Sequence, residues 1–118
     1  MFKQLLCIFL ILSTVVGVTI PLNKDSKGEQ KARQGDIIEI RLDAYDEQGQ
    51  HWVWSAPKHS GARVLNQLSS SSDPNGNAFA RFEVEGPGKE DITSQRVCKK
   101  SPNCPKVAGN WKVTIDAA

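Results

Sequence analysis

Short segments in which apolar and polar residues alternate constrain the fold of this chain more than any other feature. From Ile38 to Leu42, every second residue is isoleucine or leucine, and the residues between them are charged. The same period of two recurs at 78–85 and 111–116, and no window shows a sustained period of 3.6 residues. A period of two places neighbouring side chains on opposite faces, so each segment is predicted to be a half-buried β-strand.

Turn-forming residues separate these segments at short intervals. Gly86-Pro87-Gly88 predicts a sharp turn, and the serine-rich tract 69–77 predicts a mobile loop. Short strands with turns between them are typical of an all-β fold, here an antiparallel two-sheet immunoglobulin-like β-sandwich. Such a sandwich buries a central aromatic residue, which we expect to be Trp52 or Trp54, with Trp111 on a facing strand.

The first 18 residues have the organisation of a secretory signal peptide. Lys3 precedes an apolar run of about a dozen residues, which is followed by the small residue Gly17. The run is short for a membrane-spanning helix, although an uncleaved anchor or a buried strand is the alternative. We therefore expect a secreted protein, extracellular or in the lumen of the secretory pathway, with no membrane insertion after cleavage.

About 100 residues remain after such a cleavage, which is the length of one domain. The polar and charged segment 19–34 is predicted to be a flexible lead-in or an edge strand. The immunoglobulin-like β-sandwich domain is expected to span 35–118, and we expect it to be a monomer.

Composition and motifs argue against nucleic-acid binding and catalysis. The chain has 15 basic and 13 acidic residues, and loss of Lys3 with the leader leaves 14 against 13. This near-neutral balance gives no basic surface for nucleic acid. The acidic pair Glu90-Asp91 is interpreted as a solvated strand start rather than a catalytic pair, and no motif for a nucleophile, metal or phosphate is present. We expect neither an enzyme nor a cofactor.

Two cysteines, Cys98 and Cys104, remain after removal of the leader. In an exported chain such a pair indicates first a disulfide, here one that closes a short loop. Free thiols are one alternative. A zinc site is another, but it requires two more ligands, and nothing brings His51 or His59 to the pair.

Three connections are candidate binding loops, because a rigid sandwich holds the ends of its loops while their sequences vary. They cover residues 43–50, 69–77 and 97–109. If the segment 19–34 contributes a strand or two, all three could lie at one end of the sandwich.

Several residues stand in a pattern that is typical of a known family. The pattern consists of Gly35-Asp36 before the first alternating strand, Gly49-x-x-Trp52, Phe82-x-Val84 before Gly86-Pro87-Gly88, and Trp111-x-Val113-x-Ile115. Over about residues 35–116 the chain resembles the chagasin-like inhibitors of papain-family cysteine proteases. The resemblance implies an immunoglobulin-like sandwich that occludes a protease cleft with three loops at one end.

The fold positions match this family better than the inhibitory loops do. The central loop of the family reads Asn-Pro-Thr-Thr-Gly, whereas here only Gly49 of that motif is retained and Asp46-Glu47 introduce two carboxylates. A secreted immunoglobulin-like binding or adhesion module without inhibitory activity is therefore the alternative function. Carried onto this chain, the resemblance implies a papain-like cysteine protease as partner and the contact residues Tyr45, Asp46, Glu47, Gln48, Gly49, Asn75, Gly76, Asn77, Arg96, Lys99 and Lys100.

Overall fold

The structure, a computed structural model, describes residues 17–99, 104–105 and 108–118. Residues 1–16 of the predicted signal peptide, which spans residues 1–18, lie outside the described residues, and so does the predicted contact residue Lys100. The strands are β1 (Thr19–Leu22), β2 (Gly28–Ala32), β3 (Ile37–Leu42), β4 (Tyr45–Glu47), β5 (Gln50–Trp54), β6 (Lys58–His59), β7 (Leu65–Ser72), β8 (Ala78–Val84), β9 (Gly88–Lys99) and β10 (Gly109–Ala117). No helix in these ranges is long and apolar enough to cross a membrane.

The strands form two sheets, which confirms the predicted all-β sandwich. The first sheet has the order β1-β3-β8-β7, and the second has β2-β10-β9-β5-β4 with β6 beside β9. The sheets are mixed rather than purely antiparallel, because β1 pairs with β3 in parallel and β2 pairs with β10 in parallel. A parallel pair needs a crossover between its strands, and β2 in the opposite sheet provides it for β1 and β3.

The core lies where the alternating segments face each other. The inward positions predicted from the period of two are buried in β3, β8 and β10 alike, which confirms that interpretation. The inward side chains of these three strands are Ile38, Ile40, Leu42, Ala78, Ala80, Phe82, Val84, Trp111, Val113 and Ile115.

The tryptophans are arranged differently from the prediction. Trp111 does not face the other two from the opposite sheet, because β5 and β10 belong to the same sheet on either side of β9. Trp54 and Trp111 both belong to the main core cluster, whereas Trp52 lies outside it and stacks on Tyr45 with ring centroids 6.5 Å apart. Trp54 is therefore the core aromatic residue of β5.

Strands also form in the segment 19–34 and in the serine tract. Residues 19–34 hold β1 and β2, each at the edge of one sheet. The serine tract is not a loop up to residue 72, because Ser69–Ser72 continue β7 and pair with β8. The backbone of this tract forms hydrogen bonds with the backbone of β8. In addition, the Ser70 hydroxyl donates a hydrogen bond to the carbonyl of Pro57 at 2.6 Å. Small polar side chains suit such an edge strand.

Candidate functional site

Three connections meet at one end of the sandwich, which we call the loop end. β3 finishes at Leu42 opposite Ala78, the first residue of β8, and Ser72 at the end of β7 pairs with the same residue. In the other sheet, His51 near the start of β5 pairs with Lys99 at the end of β9. The loop end therefore carries the connections 43–49 and 73–77 and the two ends of the third connection, Lys99 and Gly109.

The first connection is a β-hairpin rather than an irregular loop. Tyr45 pairs with Trp52 across β4 and β5, and a two-residue turn joins the strands. Gln48 and Gly49 at the turn have φ values of 53° and 76°, the left-handed pair that a tight hairpin turn requires. Behind the turn, Oδ1 of Asp46 lies 2.7 Å from Nδ1 of His51. The hairpin tip is thus an exposed, narrow projection.

The second connection is held by the carboxylate of Asp73. Its Oδ1 accepts hydrogen bonds from the backbone N–H groups of Asn75 at 2.9 Å and Asn77 at 3.0 Å, and its Oδ2 accepts one from Asn77 Nδ2 at 3.0 Å. The bonds from the backbone and side chain of Asn77 lower the pKa of Asp73. The predicted mobile loop is instead a hydrogen-bonded turn at 73–77.

The second connection is bonded both to the first connection and to the end of β5. The N–H of Ala44 donates to Oδ1 of Asn77 at 2.7 Å, and the N–H of Trp54 donates to the carbonyl of Gly76 at 2.8 Å. Gly76 has a φ of 89°, and a Cβ at this position would lie 2.2 Å from Cγ1 of Val53. Only glycine allows the turn to lie this close to β5, so the two connections form one unit.

Arg96 and the disulfide fix the end of β9 beside the hairpin. The Arg96 guanidinium lies 4.8 Å from the ring centroid of Trp52, and it donates a hydrogen bond to the hydroxyl of Tyr45. A cation over an indole face is attractive, so Arg96 ties the root of the hairpin to β9. The predicted disulfide is present, with the Cα atoms of Cys98 and Cys104 5.3 Å apart.

The predicted contact residues fall into two groups. The first group is buried or half-buried and makes the hydrogen bonds that hold the connections in place; it consists of Tyr45, Gly76, Asn77 and Arg96. The residues exposed at the loop end are Asp46, Glu47, Gln48, Gly49, Asn75 and Lys99.

A groove that was not predicted from the sequence lies beside these exposed residues. Its volume is about 550 Å³, and His51, Val53 and Pro74 contribute to its lining. His51 and Val53 occupy the positions of β5 that alternate with its two tryptophans, so the period of two could have placed them on the outer face. The groove continues the loop end onto the outer face of the second sheet.

Glu90 lies far from the loop end, and the solvated environment predicted for it is wrong. Its side chain is buried, and Oε2 lies 2.6 Å from His59 Nδ1 and accepts the N–H of Gly61 at 2.8 Å. Oε1 accepts the N–H groups of Val64 and Leu65, each at 2.9 Å. Burial by itself raises the pKa of Glu90, but these four hydrogen bonds outweigh it, and the pKa lies below the ordinary value of 4.5.

Glu90 therefore closes the crossover from β6 to β7 and has a structural role. In the part of the chain that the structure describes, no three His, Cys, Asp or Glu side chains converge into a possible metal site.

Comparisons with known proteins identify a shared fold. No family model matches the sequence, and no curated protein is similar to it in sequence. Among solved structures, the cysteine protease inhibitor EhICP2 of Entamoeba histolytica is similar with a TM-score of 0.54 and 10% identity, over 86% of this chain and 96% of that one. PbICP-C, solved in complex with falcipain-2, gives a TM-score of 0.48 and 15% identity over 86% of this chain and 100% of that one. The chain thus shares the sandwich fold of EhICP2.

Proposed function

We propose that this chain is a secreted, monomeric inhibitor of papain-family cysteine proteases that occludes the active-site cleft with its loop end. The observation that carries the proposal is that the hairpin, the 73–77 turn and the end of β9 lie side by side and are bonded to one another. The fold shared with EhICP2, a cysteine protease inhibitor, supports the proposal.

In the proposed complex, the hairpin tip enters the cleft and covers the catalytic cysteine. A two-residue turn is narrow, and Gly49 has no side chain and nothing within 4 Å of the position of a Cβ, so the backbone can approach a partner closely. The 73–77 turn and the end of β9 contact the walls of the cleft on either side. Because these connections are held by internal hydrogen bonds and a disulfide, little conformational entropy is lost on binding.

Charge at the hairpin sets a condition on this mode of binding. Asp46 and Glu47 are exposed. If an unpaired carboxylate becomes buried in an interface, the loss of its solvation weakens binding by roughly several kcal/mol. Asp46 already contacts His51, which offsets its charge when the imidazole is protonated. We therefore expect Glu47 to remain at the solvated rim of the complex rather than at its centre.

The direct test is inhibition by the purified domain. Papain and a cathepsin-L-like enzyme are titrated with the protein, and initial rates are measured with a small peptide substrate. Competitive inhibition at submicromolar protein is expected, because the loops and the substrate occupy the same cleft. Absence of inhibition of both enzymes at micromolar protein would refute the proposal.

A matched pair of glycine variants locates the inhibitory surface. Gly49 and Gly61 have similar φ values, 76° and 84°, and neither has an atom within 4 Å of the position of a Cβ. Gly49 is at the hairpin tip, close to Lys99 at the end of β9. The N–H of Gly61 instead donates a hydrogen bond to Glu90, which lies nine residues before Lys99 in β9. The two glycines are therefore about 30 Å apart.

Gly49→Gln and Gly61→Gln should each cost about 1–2 kcal/mol of stability through backbone strain. Only Gly49→Gln should weaken inhibition, by at least about tenfold, which corresponds to 1.4 kcal/mol. Equal inhibition by the two variants would mean that the hairpin tip does not enter the cleft.

The exposed carboxylates favour a second candidate, a secreted binding or adhesion module that does not inhibit proteases. A pair of acidic side chains at the tip suits a basic partner surface better than a neutral cleft. In this case papain is unaffected, and binding to a surface or matrix partner is weakened by Asp46→Asn and Glu47→Gln and by added salt.

A further inference from the structure

The residue that precedes β1 is fixed in place at both of its backbone polar groups. The backbone nitrogen of Val18 lies 3.1 Å from Oδ1 of Asp36, and the carbonyl of Val18 accepts a hydrogen bond from the N–H of Ile37 at 2.8 Å. β1 then pairs in parallel with β3 from Thr19 onwards. The nitrogen of Val18 therefore has a defined position beside a carboxylate.

The carboxylate of Asp36 is unusual in its surroundings. The residue is only 7% exposed, and its Oδ2 accepts a second hydrogen bond from the N–H of Arg33 at 2.9 Å. Among the described residues, no Lys, Arg or His side chain lies within ion-pair distance of it. Buried carboxylates are normally paired with a cation, so the site offers a place for a positive charge at Val18.

The sequence at this position is suited to proteolytic processing. Gly17, which ends the apolar leader, is the small residue that a signal peptidase requires directly before the bond that it cleaves. Glycine also suits the folded structure, because a Cβ at residue 17 would lie 2.0 Å from the carbonyl oxygen of Gly35.

We propose that the leader is removed between Gly17 and Val18, and that the new α-ammonium group of Val18 forms an ion pair with Asp36. Hydrolysis of this peptide bond consumes one water, leaves the new carboxylate on the leader, and leaves the amine on Val18. An α-amino group has an ordinary pKa of about 7.7–8.0, so it is mostly protonated at neutral pH. The inference rests on the export of the chain in the proposed function, but not on protease inhibition.

The position of cleavage is tested by expressing the full chain with its own leader in a secreting host. N-terminal sequencing and intact mass of the secreted protein should give Val18 as the first residue. Gly17→Leu should abolish cleavage at this bond, because a large residue stands before it. An unprocessed chain, a different first residue, or normal processing of Gly17→Leu would overturn the assignment.

The ion pair is tested on chains that begin at defined residues, released from a fusion partner without added residues. A chain that begins at Gly17 keeps the Val18 N–H bond to Asp36 but moves the positive charge one residue away. It should melt about 4 °C or more below the chain that begins at Val18. In an Asp36→Asn background, the two chains should melt within about 1 °C of each other. Equal melting temperatures in the wild-type background would overturn the ion pair, whatever the result with papain.

If Asp36→Asn does not fold, titration of the Val18 amine in the wild-type domain provides the second measurement. Nuclear magnetic resonance should show its pKa above the ordinary range, because the carboxylate stabilises the charged form. A pKa within that range would also overturn the ion pair.

Discussion

Replacing Glu90 by glutamine tests how the two sheets are connected at the end far from the loops. The substitution keeps the shape of the side chain but removes its charge and turns one oxygen into an N–H donor. When the oxygen of the new amide faces Val64 and Leu65, it still accepts their two N–H hydrogen bonds. These two bonds are weaker, because the acceptor no longer carries a negative charge. The new amide group then faces the N–H of Gly61, which loses its acceptor, whereas His59 can adapt through its other tautomer.

The expected loss in the free energy of unfolding is about 2–4 kcal/mol. A buried donor without a partner costs about 1–3 kcal/mol, and the two weakened bonds add about 1 kcal/mol. This is a large share of the roughly 5–15 kcal/mol that stabilises a small domain. Urea denaturation at pH 7 measures the loss, and Glu85→Gln, at an exposed position just beyond β8, is the control that should change stability by less than about 0.5 kcal/mol.

The same substitution should make stability less dependent on pH. Folding lowers the pKa of Glu90 below 4.5, so its contribution is complete above the pKa of the unfolded chain. It is lost as the pH falls through the lower pKa of the folded state. The difference between wild type and Glu90→Gln should therefore be constant from pH 7 to about pH 5 and should shrink in more acidic solution. A difference below 0.5 kcal/mol at pH 7, or one that does not shrink in acid, would refute the role assigned to this carboxylate.

Three further substitutions have clear expected outcomes. Trp111→Ala should destabilise the domain by about 3–5 kcal/mol in thermal or urea unfolding, because a large buried aromatic side chain is removed; a change in melting temperature of only a degree or two would contradict its place in the core. Replacing Cys98 and Cys104 by serine should lower the free energy of unfolding by about 2–3 kcal/mol, and it should weaken inhibition because the end of β9 becomes more mobile. Two freely alkylated thiols in freshly secreted protein would contradict the disulfide bond. Gly76→Ala should cost at least about 2 kcal/mol, since its Cβ would overlap Val53 in a backbone conformation that is already unfavourable for alanine; an unchanged denaturation midpoint would show that the turn can move away from β5.

The strands of the core were predictable because their signal is local. In β3, β8 and β10 the period of two gives both the strand and its buried face, and no distant residue alters that result. The same local signal does not say which sheet a strand joins. Trp111 was therefore expected on the facing sheet, and the parallel pairings of β1 and β2 had no signal in the sequence.

The role of Glu90 depends on residues that are distant in the sequence. Its four hydrogen-bond partners come from 25 to 31 residues earlier in the chain. One local signal was available, because Glu90 lies two and four residues before the buried residues Ile92 and Ser94 and therefore on the same face of β9. Extending the alternation back along β9 would have placed this carboxylate inside, where a charge requires several donors.

At the loop end, the sequence indicated which connections meet but not how they are held. The positions of the three loops follow from the order of the strands. The bond between Asn77 and Ala44 joins a side-chain oxygen to a backbone N–H, and the bond between Gly76 and Trp54 joins two backbone groups. Both link residues that are distant in the sequence, so no local pattern indicates them. The adjacency of the connections was thus predictable, whereas the contacts that hold them together were not.

The pairing of β2 with β10 determines when this protein can finish folding. β2 is the second described strand and β10 is the tenth, and Ala32 of one pairs with Ala117 of the other. The second sheet lacks the strand between β2 and β9 until β10 has been synthesised, so β2 has no partner in that sheet before this point. Contacts between segments so distant in the sequence also slow folding, so the pairing of β2 with β10 is expected to form late.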